Sequence, residues 1–298
     1  MCLVLIGWRV HPEYRLIVAA NRDEFYTRPA EPARWWPEIP GLLAGRDVGA
    51  TDRGPGDPPG TWLGLSALGE HSRFAAVTNV RNPNNERVGA RSRGALLMDF
   101  LRGAQDRNPE PTFPGPGRYL REVAAAPDDY NGYNVLVSDL DELWWHCNRS
   151  TSPPRALAPG YHGLSNGRFV TSAGTEPGAA PTAPERVWPK VGDGLAALRK
   201  VVESDAAATE NYFDVLADRT EAPDDLLPDT GVGYALEKAL SARFIADGHH
   251  GTRASTVLLI REDGGFEFSE RSFATFGRPL GSVSFTGAVP LPDRGGPR

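Results

Sequence analysis

The sequence predicts an α+β protein in which antiparallel sheet is layered with helices. Three observations lead to this class: strands come in hairpins near both ends of the chain, helices cluster between them, and no G-x-G-x-x-G or P-loop follows a strand. The third observation argues against a doubly wound nucleotide-binding fold. The 298 residues suffice for one large layered domain. We expect a single domain over residues 1–290 and a frayed tail over residues 291–298.

The first half of the chain alternates strands with turn signals. Apolar residues over 2–10 and 14–20 predict a hairpin that begins at the second residue. Residues 25–60 are rich in Gly, Pro, Trp and Arg without periodicity, and we expect a long covering loop there. Strands are then predicted over 61–66 and 74–80. Ser92 is the expected N-cap of the helix that follows.

The second half carries helices in its middle and strands on either side. Residues 172–184 lack large apolar side chains, which indicates a loop. Helices are predicted over 118–126, 187–202 and 212–216. Strands are predicted over 133–138, 142–148, 161–164, 168–171, 252–260, 266–273 and 283–285.

Composition excludes several classes of function. The formal net charge of −6 gives no general field for attracting nucleic acid. The longest apolar run, residues 3–8, is far too short to cross a bilayer, and no basic segment precedes it as in a signal peptide, so we expect a cytoplasmic protein without membrane insertion. The two cysteines, Cys2 and Cys147, are too few for a disulfide framework. No histidine pair has metal-ligand spacing, and no catalytic metal is expected.

Cys2 is the first candidate for chemistry. Removal of Met1 is generally allowed before a small residue, and we expect the mature chain to start at Cys2. Its α-amine, with an ordinary pKa of about 7.7–8.0, is then a base beside the thiol. The alternative is a small apolar residue that begins a buried strand. Sequence position alone does not separate the two interpretations.

The tetrapeptide Asn21-Arg22-Asp23-Glu24 favours the chemical interpretation. It ends the second strand of the predicted hairpin, so Arg22 or Asp23 can reach the thiol and the amine of Cys2. A guanidinium near the sulfur favours the thiolate, which we expect to predominate at neutral pH. The alternative is a charged strand end that meets water.

Several short motifs, in order, resemble a known family. They are Cys2 after Met1, Ala19-Ala20-Asn21-Arg22-Asp23-Glu24 with Arg28-Pro29, Gly45-Arg46-Asp47, Gly60-Thr61-Trp62-Leu63-Gly64, Thr78-Asn79-Val80-Arg81, Ser92-Arg93-Gly94, and Gly251-Thr252-Arg253 with Ser255-Thr256-Val257. Together they resemble the NRDE-motif family, which is related to transport and Golgi organisation protein 2. That family is similar to the cysteine branch of the N-terminal nucleophile (Ntn) hydrolases. The resemblance implies a four-layer αββα sandwich of two mainly antiparallel sheets.

The resemblance also implies roles for individual residues. By analogy with cysteine Ntn amidases, Arg22 and Asp23 flank the Cys2 nucleophile, although those amidases do not have the two side by side. Asn79 and Asn134 are candidates to hold the oxyanion, or else turn residues. Arg253 can bind a substrate carboxylate or pair with a surface acid. The other candidates for substrate binding are Trp62 and Asn21.

Three functions follow from these residues. The first is an Ntn-type hydrolase that acts on a small linear amide or acyl substrate and needs no cofactor. The second is a binding protein that handles haem or a lipid or acyl group, with Cys2 as a soft ligand and a Trp-rich pocket as its lining. The third is an inactive hydrolase fold that serves as a binding or scaffold module.

Overall fold

The computed structural model describes residues 2–49, 59–103, 113–167, 169–171, 174–175 and 187–292. They form an α+β fold with two large antiparallel sheets and few helices, which confirms the predicted class. The strands are β1 (Cys2–Trp8), β2 (Tyr14–Phe25), β3 (Ala30–Trp35), β4 (Leu42–Asp47), β5 (Leu63–Leu68), β6 (His71–Asn79), β7 (Tyr133–Ser138), β8 (Leu143–Cys147), β9 (Arg155–Ala156), β10 (Gly160–Leu164), β11 (Phe169–Thr171), β12 (Gly174–Thr175), β13 (His250–Arg261), β14 (Gly265–Ala274) and β15 (Arg278–Ala288). The helices are α1 (Arg93–Leu101), α2 (Pro116–Ala124), α3 (Pro189–Asp205), α4 (Thr209–Leu216) and α5 (Tyr234–Ala239).

The first sheet contains the predicted N-terminal hairpin at its centre. Its strand order is β12-β11-β10-β1-β2-β13-β14-β15. Cys2 on β1 lies directly opposite Arg22 on β2. On the other side of β2, the pairing with β13 shifts between Thr252 and Ala254, which leaves Arg253 as the extra residue of a β-bulge.

The second sheet is a meander whose strands follow chain order from β3 to β9. Its middle strand β6 runs into the polar segment around Asn79, and α1 packs across β5, β6 and β7. Ser92 caps α1 as expected, since its hydroxyl accepts a hydrogen bond from the Gly94 amide at 3.3 Å. Helix α2 packs on β8.

Alternating residues of β1 face two different parts of the core. Val4 and Ile6 belong to a buried cluster with residues of the second sheet such as Phe74. Leu3 and Leu5 belong to another cluster with residues of α3 and α4. Because β1 is buried on both faces, it reads in sequence as a continuous apolar run.

The expectation of a long loop over 25–60 was wrong for much of its length. β3 and β4 lie within it, and β2 itself extends through the tetrapeptide to Phe25. β3 is an edge strand whose side chains are mostly exposed and whose pairing is interrupted between Glu31 and Arg34, so it lacks clear alternation. Residues 50–58 of the predicted loop lie outside the described residues.

Other boundaries differ less. The predicted loop over 172–184 is described only at β12, and the predicted tail is described only to Pro292. Helix α5 was not predicted, and β15 is longer than the predicted strand over 283–285. No helix in the described part of the chain is long and apolar enough to cross a membrane.

Candidate active site

Cys2 lies at the start of β1 as a free thiol that is 8% exposed. The backbone of Cys2 is held by Ser165 and Asn166, the two residues that follow β10. The Cys2 amide donates to Oδ1 of Asn166 at 3.3 Å, and Ser165 Oγ donates to the Cys2 carbonyl at 3.0 Å. Both residues are buried. The first residue of β1 is therefore fixed by side chains as well as by the sheet.

Asn166 also connects Cys2 with the motif Thr78-Asn79-Val80-Arg81. Its Nδ2 donates to the carbonyl of Asn79 at 3.0 Å, and its own carbonyl accepts from the Arg81 amide at 2.7 Å. Sequence reasoning missed Asn166, because Ser165-Asn166-Gly167 reads as an ordinary turn. Its position just after a predicted strand was visible in the sequence, but the pairing of that strand with β1 was not.

Arg22 lies on the same face of the hairpin as Cys2, toward the second sheet. Its Nη2 donates to Oδ2 of Asp47 at 3.2 Å and is 3.8 Å from Glu24. Asp47 is shared with Arg28, whose Nε donates to it at 2.9 Å. The buried Nη1 of Arg22 has no hydrogen-bond partner among the described residues. Arg22 thus joins the two sheets while keeping unused donor capacity.

Asp23 is directed to the opposite face, because successive residues of a strand alternate. It is buried and accepts a hydrogen bond from Thr252 Oγ1 at 2.7 Å. Burial raises the pKa of Asp23, and the nearby Lys190 of α3 opposes the rise. Because Arg22 and Asp23 are neighbours on one strand, their side chains therefore lie on opposite faces of the sheet.

The thiol of Cys2 does not have the acidity expected from its arginine neighbour. Burial raises its pKa above the ordinary value, and the charge of Asp23 raises it further. Arg22 lowers the pKa but does not outweigh burial. The physical reason is burial, which penalises the charged thiolate more than the neighbouring positive charge of Arg22 favours it. Burial therefore opposes the thiolate expected at neutral pH. Met1 lies outside the described residues, and both its removal and the thiolate of a chain that starts at Cys2 stay predictions.

A buried charged cluster lies beneath Asp23. Lys190 is 4% exposed, and its Nζ donates to the Leu240 carbonyl at 3.0 Å. Burial lowers the pKa of Lys190 to about 8, with Arg81 acting in the same direction. Arg81 forms an ion pair with Glu237 at 2.5 Å. Sequence reasoning singled out none of these three residues for chemistry, since they come from separate elements.

The two asparagines proposed for the oxyanion lie on neighbouring strands of the second sheet. Asn79 ends β6, and Asn134 pairs with Thr78 beside it. Asn134 is buried, donates from Nδ2 to the Gly167 carbonyl at 3.2 Å and accepts from Trp145 Nε1 at 3.3 Å. One Nδ2 hydrogen of Asn134 is used by Gly167, and an amide nitrogen has two.

Arg22, Trp62 and Arg253 line one cavity of about 210 Å³ at the junction of the two sheets. Arg253 donates from Nη1 to the carbonyls of Phe25 and Arg28 at 2.9 and 3.0 Å. Asn21 is not part of the lining. Its side chain is buried on the helix-covered face, donates to the carbonyls of Leu216 and Arg243, and accepts from Ser255.

The described residues contain no group of three or more His, Cys, Asp or Glu side chains placed to hold a metal ion. Cys147, the second cysteine, is buried in β8, and burial raises its pKa to about 11. The site is thus defined by one thiol, its backbone clamp and arginine–carboxylate pairs.

Fold and site together define an α+β protein with two antiparallel sheets, a buried thiol at its second residue and an arginine-lined cavity to which Arg22, the strand partner of Cys2, contributes. Comparison with known proteins identifies the group. The sequence profile of the Transport and Golgi organisation 2 family matches residues 1–275, and the chain belongs to that family.

Similar proteins come from several animals. The chain is 32% identical over 289 residues to the Transport and Golgi organization protein 2 homolog of Bos taurus, covering 91% of this chain and 93% of that protein. It is 32% identical over 290 residues to the homolog of Homo sapiens, with the same coverage. The similarity to Transport and Golgi organization protein 2 of Drosophila melanogaster is 29% identity over 111 residues, 36% of this chain and 37% of that protein.

Proposed function

We propose that this protein is a cysteine Ntn-type hydrolase that cleaves the C–N bond of a small linear amide. The observation that carries the proposal is the clamp on Cys2, in which a buried asparagine accepts a hydrogen bond from the nitrogen of the residue that would become the N-terminus. The same Oδ1 would hold and orient a free α-amine beside the thiol.

The arrangement of helices and sheets supports an αββα sandwich of the Ntn type. Helices α3 and α4 pack on the outer face of the first sheet, and α1 and α2 pack on the second. Cys2 belongs to the buried cluster between the two sheets. In such a sandwich a nucleophile at the start of a central strand meets substrate from the gap between the sheets.

In this scheme the α-amine of a chain that starts at Cys2 is the base, since burial opposes a preformed thiolate. The thiol gives its proton to the amine while sulfur forms a bond to the amide carbon, and the carbonyl oxygen takes up the negative charge. The C–N bond then breaks, and the ammonium returns that proton to the leaving nitrogen, so an amine departs. Water attacks the thioester, the amine accepts its proton, the C–S bond breaks and the acid leaves with the thiol restored.

Neighbouring side chains have distinct parts in this scheme. Asn79 and the second Nδ2 hydrogen of Asn134 are the proposed donors to the oxyanion; one such donor is worth about 3–4 kcal/mol where it has been removed in another hydrolase. Asp23 and Asn166 orient the amine from two sides. Arg22 supplies positive charge on the cavity side.

The proposal is tested with purified full-length protein. Intact mass determines whether Met1 is removed, and a panel of N-acyl amides is assayed for release of free amine. We expect a chain that starts at Cys2, hydrolysis that is lost in Cys2→Ala, and a loss of at least tenfold in Asn166→Ala. Cys147→Ala is the matched control for removing a buried thiol and should retain activity.

Two results would count against a hydrolase. Quantitative retention of Met1 removes the base, because the nitrogen of Cys2 is then an amide. A Soret band on haem addition that Cys2→Ala abolishes, without amide hydrolysis by the wild type, would favour the binding-protein alternative.

A further inference from the structure

The cavity lined by Arg22 lies between the two sheets and has walls of different chemistry. Arg22 and Arg253 come from the first sheet, and Arg46 comes from β4 of the second. Trp62, Leu280 and Val283 contribute apolar surface. A pocket with one cationic side and one apolar side fits an amphipathic small molecule.

A β-bulge turns Arg253 into this cavity. Thr252 pairs with Asp23 and Ala254 pairs with Arg22, so Arg253 has no partner across the ladder. Bulges often redirect a side chain next to a functional site. The described hydrogen bonds of Arg253 all start from Nη1, which anchors the guanidinium to the turn after β2.

Hydrogen-bond donors in the cavity exceed the acceptors available to them. The lining carboxylates are engaged: Asp47 accepts from Arg22 and Arg28, and Glu270 accepts from the Ala33 amide and from Thr256. By contrast, the buried Nη1 of Arg22 has no hydrogen-bond partner among the described residues.

Glu31, the third lining carboxylate, pairs with Arg34 at 3.0 Å and lies 3.9 Å from Nε of Arg46. Arg22 and Arg253, which both belong to the first sheet, also repel each other. Burial lowers the pKa of Arg253, and the charge of Arg22 lowers it further. An anion between the two guanidinium groups would relieve this repulsion and satisfy the buried Nη1 of Arg22.

We propose that Arg22 and Arg253 bind a carboxylate on the substrate, close to the scissile amide, and that the apolar wall takes its acyl chain. This assignment rests on the proposed hydrolase function and names its substrate class: N-acyl amino acids. Cys2 is not among the residues that line the cavity, but Arg22, its partner across the hairpin, is, and Arg22 therefore connects the proposed carboxylate site with the nucleophile. Planar guanidinium groups match the geometry of a carboxylate.

The experiment measures binding without turnover. Full-length Cys2→Ala protein is titrated calorimetrically with N-octanoylglycine, with its uncharged methyl ester and with octyl phosphate. We expect the acid to bind at least tenfold more tightly than the ester and more tightly than the phosphate. Adding Arg253→Gln or Arg22→Gln should reduce the preference for the acid over the ester at least fivefold. Adding Arg118→Gln, which removes an exposed ion-paired arginine on α2, should leave the preference unchanged.

Several outcomes would overturn the assignment: equal binding of acid and ester, no binding of the acid at millimolar concentration, tighter binding of the phosphate, or a preference that Arg253→Gln leaves intact. If Arg22→Gln fails to fold, the acid-over-ester preference of Arg253→Gln alone tests the assignment. Failure of the hydrolase proposal looks different, since the acid would then bind selectively to Cys2→Ala while the wild type releases no amine from it.

Discussion

Lys190 is a cation that the fold holds out of water beneath the site. Its Nζ has a carbonyl partner at Leu240, and it lies among Arg81, Asp23, Cys2 and Glu237. The attraction to Asp23 and Glu237 does not offset burial and the repulsion from Arg81, because the pKa falls to about 8. The folded state thus carries a costly positive charge at neutral pH.

This cost predicts how stability changes with pH. Between about pH 8 and the ordinary lysine pKa near 10.4, the unfolded chain binds a proton that the folded chain has released, so the free energy of unfolding rises with pH. The full effect is on the order of 3 kcal/mol. From pH 7 to pH 10 the melting temperature of the wild type should therefore rise by several degrees relative to that of Lys190→Met.

Lys200→Met is the matched control, because Lys200 lies exposed on the same helix. Its difference from wild type should stay flat over the same range. Parallel curves for wild type and Lys190→Met would contradict a depressed pKa at Lys190.

At the scale of single residues, the sequence predicted which residues pair within the N-terminal hairpin but not which distant residues meet them. The predicted hairpin placed Arg22 or Asp23 within reach of Cys2, and the structure pairs Cys2 with Arg22. The prediction did not anticipate that strand alternation would direct Asp23 to the helix-covered face, nor that Asp47 would engage Arg22. Asn166 is 164 residues from Cys2 along the chain, and only the sheet order brings them together.

Among the elements, β10 and α3 have an unusually close contact. Gly163 on β10 pairs with Leu5 of β1, and α3 crosses directly over it. A Cβ at Gly163 would lie 2.5 Å from Val191 Cγ1 and 2.9 Å from Leu195 Cδ1. The helix can sit at this distance only because position 163 lacks a side chain.

Gly163→Ala should consequently destabilise the protein by about 1–3 kcal/mol, the usual cost of overpacking. Urea unfolding gives the free energy. Gly281→Ala is the control, since a Cβ there meets no atom within 4 Å. Val191→Ala makes room for the new methyl group, so the double variant should lose less stability than the sum of the two single variants. Strict additivity would argue against this clash.

Strand and helix elements were predicted well where burial is one-sided or complete. β1, β5 to β8 and α1 carry clear apolar patterns, and Ser92 marks the start of α1. β3 has no such pattern, because an edge strand with a bulge and exposed side chains gives little periodic signal. Helix α5 has six residues, too few for a helical repeat to show.

For the molecule as a whole, a few polar side chains join the two sheets around the cavity. Arg22 reaches Asp47, and Glu270 of β14 accepts from the Ala33 amide of β3 at 2.7 Å. Pattern reading predicted the α+β class but not these contacts, since they join sheets whose relative placement it did not address. They determine how far apart the walls of the cavity stand.

Glu270 gives a test of this connection between the sheets. It is 3% exposed, burial raises its pKa, and its other oxygen accepts from Thr256 Oγ1 at 3.0 Å. Glu270→Ala leaves the buried Ala33 amide without its acceptor and should cost about 1–3 kcal/mol. Glu270→Gln keeps an acceptor for that amide and removes a buried charge, so it should be at least as stable as wild type at pH 8.

The pH dependence separates charge from connection. Because the folded pKa of Glu270 lies above its ordinary value, the folded chain holds a proton that the unfolded chain has lost, and wild-type stability falls as pH rises through that interval. The advantage of Glu270→Gln over wild type, measured by urea unfolding, should therefore shrink between pH 8 and pH 5. Glu270→Ala should remain less stable than Glu270→Gln at both pH values, because the Ala33 amide has lost its acceptor in Glu270→Ala and this loss does not depend on pH. If Glu270→Gln proves as costly as Glu270→Ala at pH 8, the carboxylate charge itself holds the two sheets together, and the attraction to Arg22 outweighs the cost of burial.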